Sequence, residues 1–207
     1  MIIAIDGPAS SGKGTIAKLI AQHFNLPYLN TGALYRKLAF EAIKENLDLE
    51  NNEKAIIQLI NRINISELES EELHNENIGK NASIIAKNKN IRLALQKLQK
   101  DFANQEKGSV MDGRDMASVI CPNADHKFFI TASLQERAKR RYLQLSQKNS
   151  NIKEEDILTD LTHRDERDQN RSSSPLIIAP DAIKIDTSNL TIAEVFNLTL
   201  KHINQNV

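Results

Sequence analysis

The 207-residue sequence has one cysteine, no tryptophan and only 4% aromatic residues, and its 27 Lys and Arg are balanced by 27 Asp and Glu. A lone Cys121 cannot form an internal disulfide or a cysteine metal cluster, which favours a cytoplasmic location. The absence of net positive charge argues against a long nucleic acid as partner. The opening run Met1–Ile5 ends at the charged Asp6, too early for a signal or membrane segment.

A glycine-containing loop follows that opening run and leads into a helical pattern. Its residues are Gly7, Pro8, Ala9, Ser10, Ser11, Gly12, Lys13, Gly14 and Thr15. A strand, such a loop and a helix in this order are typical of a P-loop, in which backbone amides at a helix N-terminus bind phosphate. The common pattern has Ser or Thr directly after the lysine, whereas here Gly14 intervenes and Thr15 carries the hydroxyl. We predict a nucleotide site, with Lys13 directed at the β- and γ-phosphates.

Strand-like runs alternate with helical patterns on both sides of a purely helical block. Apolar runs predict strands at 1–5, 26–29, 108–112, 127–131 and 182–186. Helical spacing predicts helices at 13–24, 33–45, 53–62, 78–87, 91–102, 134–145 and 153–170. The polar segment 65–77 is interpreted as a loop or small hairpin. The alternation predicts an α/β fold with a parallel sheet flanked by helices, and the block 31–105 reads as an inserted lobe.

Two arginine clusters lie in the last third of the chain. On a helix, Arg164, Asp168 and Arg171 share one face, with Arg167 beside them. Such a pattern is often a solvated salt-bridge face, but beside a P-loop we favour phosphate binding by the forked guanidinium groups. The second cluster is Arg137, Arg140 and Arg141, for which both interpretations stay open.

Two further motifs carry polar groups at element ends. The strand 108–112 ends in Asp112, followed by Arg114 and Asp115, at the edge where α/β sheets place ligands. Asp112 could orient Mg²⁺ directly or through water, although a capped turn with a local ion pair is the alternative. Thr31 opens the second helix as a plain N-cap or a ligand hydroxyl, and Arg36 lies one turn later.

These motifs together resemble the bacterial-type cytidylate kinases of the nucleoside monophosphate kinase superfamily. The loop ending in Gly-Lys-Gly-Thr is similar to that of the superfamily, and the motifs at 30–36, 112–115 and 164–171 are more specific to cytidylate kinases. The resemblance implies a monomeric, single-domain P-loop kinase that transfers the γ-phosphoryl group of MgATP to CMP or dCMP, without nucleic acid or membrane partners. It further implies a core at about 1–30, 106–145 and 172–207, an NMP-binding lobe at about 31–105 and a lid at about 146–171.

The resemblance also implies roles for individual residues. The implied catalytic residues are Lys13, Arg114, Arg164 and Arg171, and ATP is expected to bind the loop from Gly7 to Thr15 together with Arg140 and Arg141. The implied substrate-binding residues are Thr31, Arg36, Ser83, Arg92, Arg114, Asp115, Arg164, Asp168 and Arg171. Asp112 and Thr15 are the implied Mg²⁺ ligands, directly or through water. Ser83 and Arg92, as contacts to cytosine, follow from the resemblance alone. The sequence departs from the family pattern at Ser10, where glycine is common, at Gln169, often basic, and in the short segment 65–77.

Two other functions are compatible with a P-loop. One is a small-molecule kinase acting on AMP, UMP or shikimate. The other is a nucleotide-dependent switch such as a small GTPase, but the guanine-reading motif Asn-Lys-x-Asp fails here because Asn88-Lys-Asn is followed by Ile91.

Overall fold

The computed structural model describes residues 1–147 and 152–205, with only the backbone of His74. Strands are β1 (Ile2–Asp6), β2 (Tyr28–Asn30), β3 (Ser109–Gly113), β4 (His126–Thr131) and β5 (Ile183–Asp186); helices are α1 (Lys13–Phe24), α2 (Thr31–Lys44), α3 (Glu53–Ile60), α4 (Glu76–Ile85), α5 (Lys89–Ala103), α6 (Leu134–Ser146), α7 (Glu154–Asn170) and α8 (Ile192–Gln205). Residues 148–151 of the predicted lid and 206–207 of the predicted core lie outside the described residues. The predicted α/β fold is confirmed.

The sheet has the strand order β2-β3-β1-β4-β5. Strand β1 pairs in parallel with both β3 and β4, and β4 pairs in parallel with β5. Their carboxyl ends therefore lie at one edge of the sheet, where the P-loop leaves β1 after Asp6. Parallel pairs need crossover connections, which helices provide in this chain.

The chain divides into two compact units, residues 1–28 with 107–207, and residues 29–106. In the first, apolar residues of the sheet such as Ile5 and Phe128 pack with Ile20 of α1 and Val195 of α8. The second has its own core of helical side chains, comprising Leu38, Ala39, Ala42, Ile56, Leu59, Ile60, Ala82, Ile85, Ile91 and Leu95. Each unit thus buries a separate apolar core, as a stable unit requires.

A third apolar cluster fixes α7 within the first unit. Ala9 of the P-loop, Ala138 of α6 and Ile157 and Leu161 of α7 are all buried together. Ile157 and Leu161 lie four residues apart, so they form one apolar stripe on an otherwise polar helix. The helix that carries the arginine motif is therefore packed on the P-loop side of α6. Nowhere in the described parts of the chain is a helix long and apolar enough to cross a bilayer.

Some predicted elements differ from the structure. The segment 65–77, predicted as a loop or small hairpin, forms two short 3-10 turns, Ile65–Glu67 and Glu71–His74, before α4 begins. The side chain of Asn64 caps the first turn by accepting from the amide of Ser66, whereas Asn75 accepts from the amide of Asn77 and caps α4. Such caps favour turns over strands.

Two further differences concern the start of α2 and the segment that follows β3. Helix α2 begins at Thr31 because Asn30, not Thr31, is its N-cap and accepts from the amide of Ala33 at 2.9 Å. A π-helical turn over Met116–Ile120 has no periodic signal in the sequence. It depends on Asp6, whose carboxylate accepts from the amides of Met116 (2.9 Å) and Ala117 (2.8 Å).

We predict that Asp6 makes stability depend on pH. Burial raises the pKa of Asp6 to about 7, even though the amides of Ala117 and Met116 lower it. A carboxyl whose folded-state pKa is raised contributes stability that is present below its unfolded pKa near 4 and is lost as the pH rises through about 7. The free energy of unfolding of the wild type should therefore fall relative to Asp6→Asn over this range, by at most about 1.4 kcal/mol per pH unit.

Urea unfolding at half-unit steps from pH 4 to 8 measures this difference. Asp101→Asn, on an exposed position of α5, is the matched control and should track the wild type at every pH. Parallel stability curves for the wild type and Asp6→Asn would contradict the prediction.

Candidate active site

The P-loop is held in shape by left-handed backbone and by contact with β4. Gly7 has φ 153°, and a Cβ there would lie 1.9 Å from the carbonyl oxygen of Ile130, so no side chain fits. Gly12 has φ 87° and is the N-cap of α1, and Ser10, where glycine is common in the family, has φ 59°. Because a glycine caps α1, its first-turn amides have no side-chain acceptor from the cap residue and face outward for an anion.

Lys13 is the first helical residue after this turn. Its Nζ donates to the carbonyl oxygen of Pro8 at 3.2 Å, which folds the side chain back along the loop. Burial and then the positive charge of Arg114 lower the pKa of Lys13 to about 7, while Asp112 opposes them and Arg164 adds to them. The lysine therefore lies within electrostatic reach of an acid from β3 and of arginines from two other segments.

Arg114 and the arginine motif of α7 meet at Asp168. The Nε of Arg114 pairs with Asp168 Oδ2 at 2.7 Å, and Nη1 of Arg171 lies 3.6 Å from Asp168 Oδ1. Burial works to raise the pKa of Asp168, but Arg114 and Arg164 outweigh it and lower that pKa below the ordinary value. Asp168 is thus an ionised carboxylate that holds two arginines together.

The end of α7 is fixed by its own backbone. Arg171 is the C-cap, and its Nε donates to the carbonyl oxygen of Ser174 at 2.5 Å. Ser174 adopts a left-handed conformation (φ 51°), and the amide of Leu176 returns to the carbonyl oxygen of Asp168. The structure therefore brings Arg114, Asp168 and Arg171 into one network, with Arg171 as the C-cap of α7 and not on the helix face that the spacing predicted.

Asp112 is buried at the carboxyl end of β3. Its Oδ1 accepts from the hydroxyl of Tyr28 at 2.7 Å, and the same hydroxyl lies 3.4 Å from the carbonyl oxygen of Gly14. A tyrosine from the adjoining strand thus connects the acid to the first turn of α1. Asp6, the other acid at this edge, is occupied by the amides of Met116 and Ala117.

This arrangement fits a magnesium ion that arrives with a nucleotide. Among residues 1–147 and 152–205 there is no cluster of three or more His, Cys, Asp or Glu able to hold a metal. Mg²⁺ in phosphotransfer sites typically takes one or two carboxylates and fills its remaining positions with phosphate oxygens and water. A buried Asp112 beside Lys13, with Thr15 on the first turn of α1, supplies a donor set of that kind.

The second arginine cluster separates into three environments. Arg137 is buried and paired with Asp165 at 2.6 Å. Arg140 donates from Nη1 and Nη2 to the hydroxyl and carbonyl oxygens of Thr187, at 2.9 and 2.6 Å, and Thr187 in turn donates to Ser11 of the P-loop. Arg141 donates to Gln144 on its own helix. Arg140 is therefore anchored beside the P-loop, whereas Arg141 is not tied to it by these bonds.

The remaining predicted substrate residues belong to the unit 29–106. Thr31 and Arg36 lie on the first turns of α2, Ser83 is buried on α4 and Arg92 is buried on α5. The guanidinium of Arg92 stacks over the ring of Tyr35 at 5.6 Å, and its Nη1 approaches the carbonyl oxygen of Ala86 at 3.4 Å. A buried arginine held on an aromatic face is pre-oriented for planar hydrogen bonding.

Sequence reasoning missed four residues that shape the site: Asp6, Tyr28, Asp165 and Thr187. Asp6 ends an apolar run and Tyr28 lies within one, so each carried a weak signal in the sequence. Asp165 lies inside the arginine motif but was not separated from its charged neighbours. Thr187 carried no local signal, because its contacts with Ser11 and Arg140 are distant in sequence.

Comparisons with known proteins find sequence similarity over nearly the whole chain. Residues 3–205 match the family model for cytidylate kinase. A cytidylate kinase of Azorhizobium caulinodans is 44% identical over 97% of this chain and 96% of its own length.

Solved structures give a more distant similarity. An uncharacterized protein of Eubacterium ventriosum has a TM-score of 0.57 at 18% identity, covering 99% of this chain and 98% of that one. A gluconokinase of Sinorhizobium meliloti has a TM-score of 0.50 at 13% identity, covering 99% and 91%. These two share the fold with this chain. The family match and the sequence identity extend over nearly the whole length, and the chain belongs to the cytidylate kinase family.

Proposed function

We propose that the protein transfers the γ-phosphoryl group of MgATP to CMP or dCMP, giving ADP and CDP or dCDP. The observation that carries this is the grouping of Lys13, Arg114 and Arg164 around the P-loop, with Asp168 aligning the arginines. A monophosphate acceptor is already an anionic nucleophile, so the reaction needs alignment and charge neutralisation and no general base.

The P-loop amides and Lys13 hold the β- and γ-phosphates of ATP. Arg114, Arg164 and Arg171 neutralise the transferring phosphoryl group and the acceptor phosphate. Asp168 keeps Arg114 and Arg171 aligned. Arg140, anchored to Thr187 beside the loop, contributes to the ATP side together with Arg141. Asp112 and Thr15 are the residues that would hold Mg²⁺, directly or through water, and the ion would supply charge neutralisation to the phosphates.

For the acceptor, we assign a role to each of five residues. Thr31 and Arg36 bind its sugar and phosphate region, Ser83 and Arg92 contact cytosine, and Asp115 reads the base. Resemblance to the family supports these roles, and the stacking of Arg92 on Tyr35 supports a planar contact. We further propose a cytoplasmic monomer in which 31–105 acts as the NMP-binding lobe and 146–171 as the lid, with no nucleic acid or membrane partner.

The first test is the choice of acceptor. ADP formation is measured with MgATP and each of CMP, dCMP, UMP, AMP and GMP at matched concentration. We expect fast turnover with CMP and dCMP and at least tenfold slower turnover with the others. Preference for AMP or UMP would leave the phosphotransfer chemistry in place and reject the proposed acceptor; guanine-selective binding without turnover would favour a switch.

We predict that MgATP binding takes up a proton at Lys13. At pH 8 a lysine with a pKa of about 7 is mostly neutral, and the phosphates raise this pKa by supplying nearby negative charge. Calorimetric titration at pH 8 in buffers of different ionisation enthalpy should give an uptake approaching one proton. Lys13→Met should abolish this uptake and most of kcat. A binding enthalpy independent of the buffer would contradict the prediction.

Arg164→Ala should lower kcat by about 10²- to 10³-fold, by analogy with arginines that neutralise a transferring phosphoryl group. Arg62→Ala is the matched control, because Arg62 lies on the surface of the other unit with 70% of its side chain exposed, and such ion pairs contribute little. Steady-state kinetics at saturating ATP and CMP measure the effect. Equal kcat values for the two variants would remove Arg164 from the reaction.

A further inference from the structure

Arg137 of α6 has its guanidinium buried between three segments of the chain. Its Nη2 pairs with Asp165 Oδ2 of α7 at 2.6 Å, its Nε donates to the carbonyl oxygen of Ala132 at 3.0 Å, and its Nη1 donates to that of Ala9 at 3.3 Å. Only 5% of the residue is exposed. One side chain thus joins the P-loop, the end of β4 and the helix that carries the arginine motif.

The position of Asp165 makes this link relevant to the reaction. Asp165 follows Arg164 directly and precedes Asp168 by three residues, so fixing it fixes the rotation of α7 about its axis. A shift of α7 by one residue would rotate its side chains by about 100° and move them by about 1.5 Å. Such a shift would displace Asp168 from its pair with Arg114 and would move Arg164, whose charge acts on Lys13.

Apolar packing does not by itself fix that rotation. Ala9, Ala138, Ile157 and Leu161 hold α7 against α6 and the P-loop, but hydrophobic contact is non-directional. The paired guanidinium and carboxylate are directional, because each hydrogen bond has a preferred distance and angle. The Arg137–Asp165 pair, together with the pair of Arg114 and Asp168 three residues further along α7, therefore supplies the orientation that the apolar contacts lack.

We propose that Arg137 is a positioning residue for phosphoryl transfer, which sets α7 relative to the P-loop through Asp165 and Ala9 so that Arg164 reaches the reacting phosphate. This inference rests on the proposed kinase function. Arginine is required because its planar fork reaches the three partners at once, whereas lysine carries a single ammonium point charge. Arg137 acts through Arg164 and does not itself bind nucleotide.

The first experiment compares Arg137→Lys with Arg62→Lys, the same chemical change on the surface. Arg137→Lys should lower kcat at least tenfold and change KM for ATP and for CMP less than threefold, at a temperature well below the unfolding midpoint of both variants. Arg62→Lys should match the wild type. A purely structural role would lower the unfolding midpoint and leave kcat unchanged, and a direct contact with ATP would raise KM for ATP; either result overturns the proposal.

A double-mutant cycle with Arg164→Ala tests how Arg137 acts. Coupled residues give non-additive effects, whereas independent residues multiply theirs. If Arg137 works through Arg164, adding Arg137→Lys to Arg164→Ala should lower kcat less than threefold further. A full additional tenfold loss would show an independent role and overturn the proposal.

If Arg137→Lys does not fold, the variant Asp165→Asn tests the same link from its other partner. It retains an acceptor for Arg137 and removes the charge, so kcat should fall in the same direction with KM values unchanged. A wild-type kcat in Asp165→Asn would overturn the proposal. Absence of CMP phosphorylation by the wild type itself would instead reject the proposed function, so the two failures are distinguishable.

Discussion

Several positive charges have to be held close together in a partly buried site, and the rest of the first unit is arranged around that constraint. Like charges at short range repel, and burial strengthens the repulsion because the local dielectric constant is low. Asp168 offsets it by accepting from Arg114 at 2.7 Å and by lying beside Arg171. Asp112 opposes it at Lys13, whose pKa is nevertheless lowered to about 7. These carboxylates therefore do not fully compensate the burial and the positive charges around Lys13, and a phosphate group would supply the remaining negative charge.

The sheet supplies the frame on which this balance is built. Parallel strands β1 and β3 end side by side, and two acids near these ends have different roles: Asp6 is the last residue of β1, and Asp112 is the last but one of β3. Asp6 accepts two backbone amides and fixes the turn that follows Arg114 and Asp115. Asp112 accepts from Tyr28 and lies within reach of Lys13. Two carboxylates near the ends of neighbouring strands, one residue apart in register, are thus distinguished by the donors that surround them.

The sequence predicted what depends on local pattern and missed what depends on distant partners. The P-loop, the sheet strands and the grouping of Asp168 with Arg171 followed from spacing. Within 65–77, the Asn64 cap of the first 3-10 turn and the Asn75 cap of α4 were not recognised from the sequence. The π-helical turn after Asp115 could not be predicted, since its anchor, Asp6, is about a hundred residues away. Ser83 and Arg92 have no chemical signature of their own, and only the family resemblance singled them out.

A site arranged in this way is less stable empty than occupied. Because the folded-state pKa of Lys13 is lowered to about 7, this lysine destabilises the fold. The destabilisation is fully present below pH 7 and is relieved as the pH rises from 7 towards the pKa of lysine in the unfolded chain. Bound phosphate removes the same cost at neutral pH by pairing with the ammonium. Strain of this kind is common at functional sites, and here it requires firm anchors, because the repulsion would otherwise push α7 and its arginines away from the loop. The buried pair of Arg137 and Asp165 opposes that displacement without adding a charge to the phosphate site.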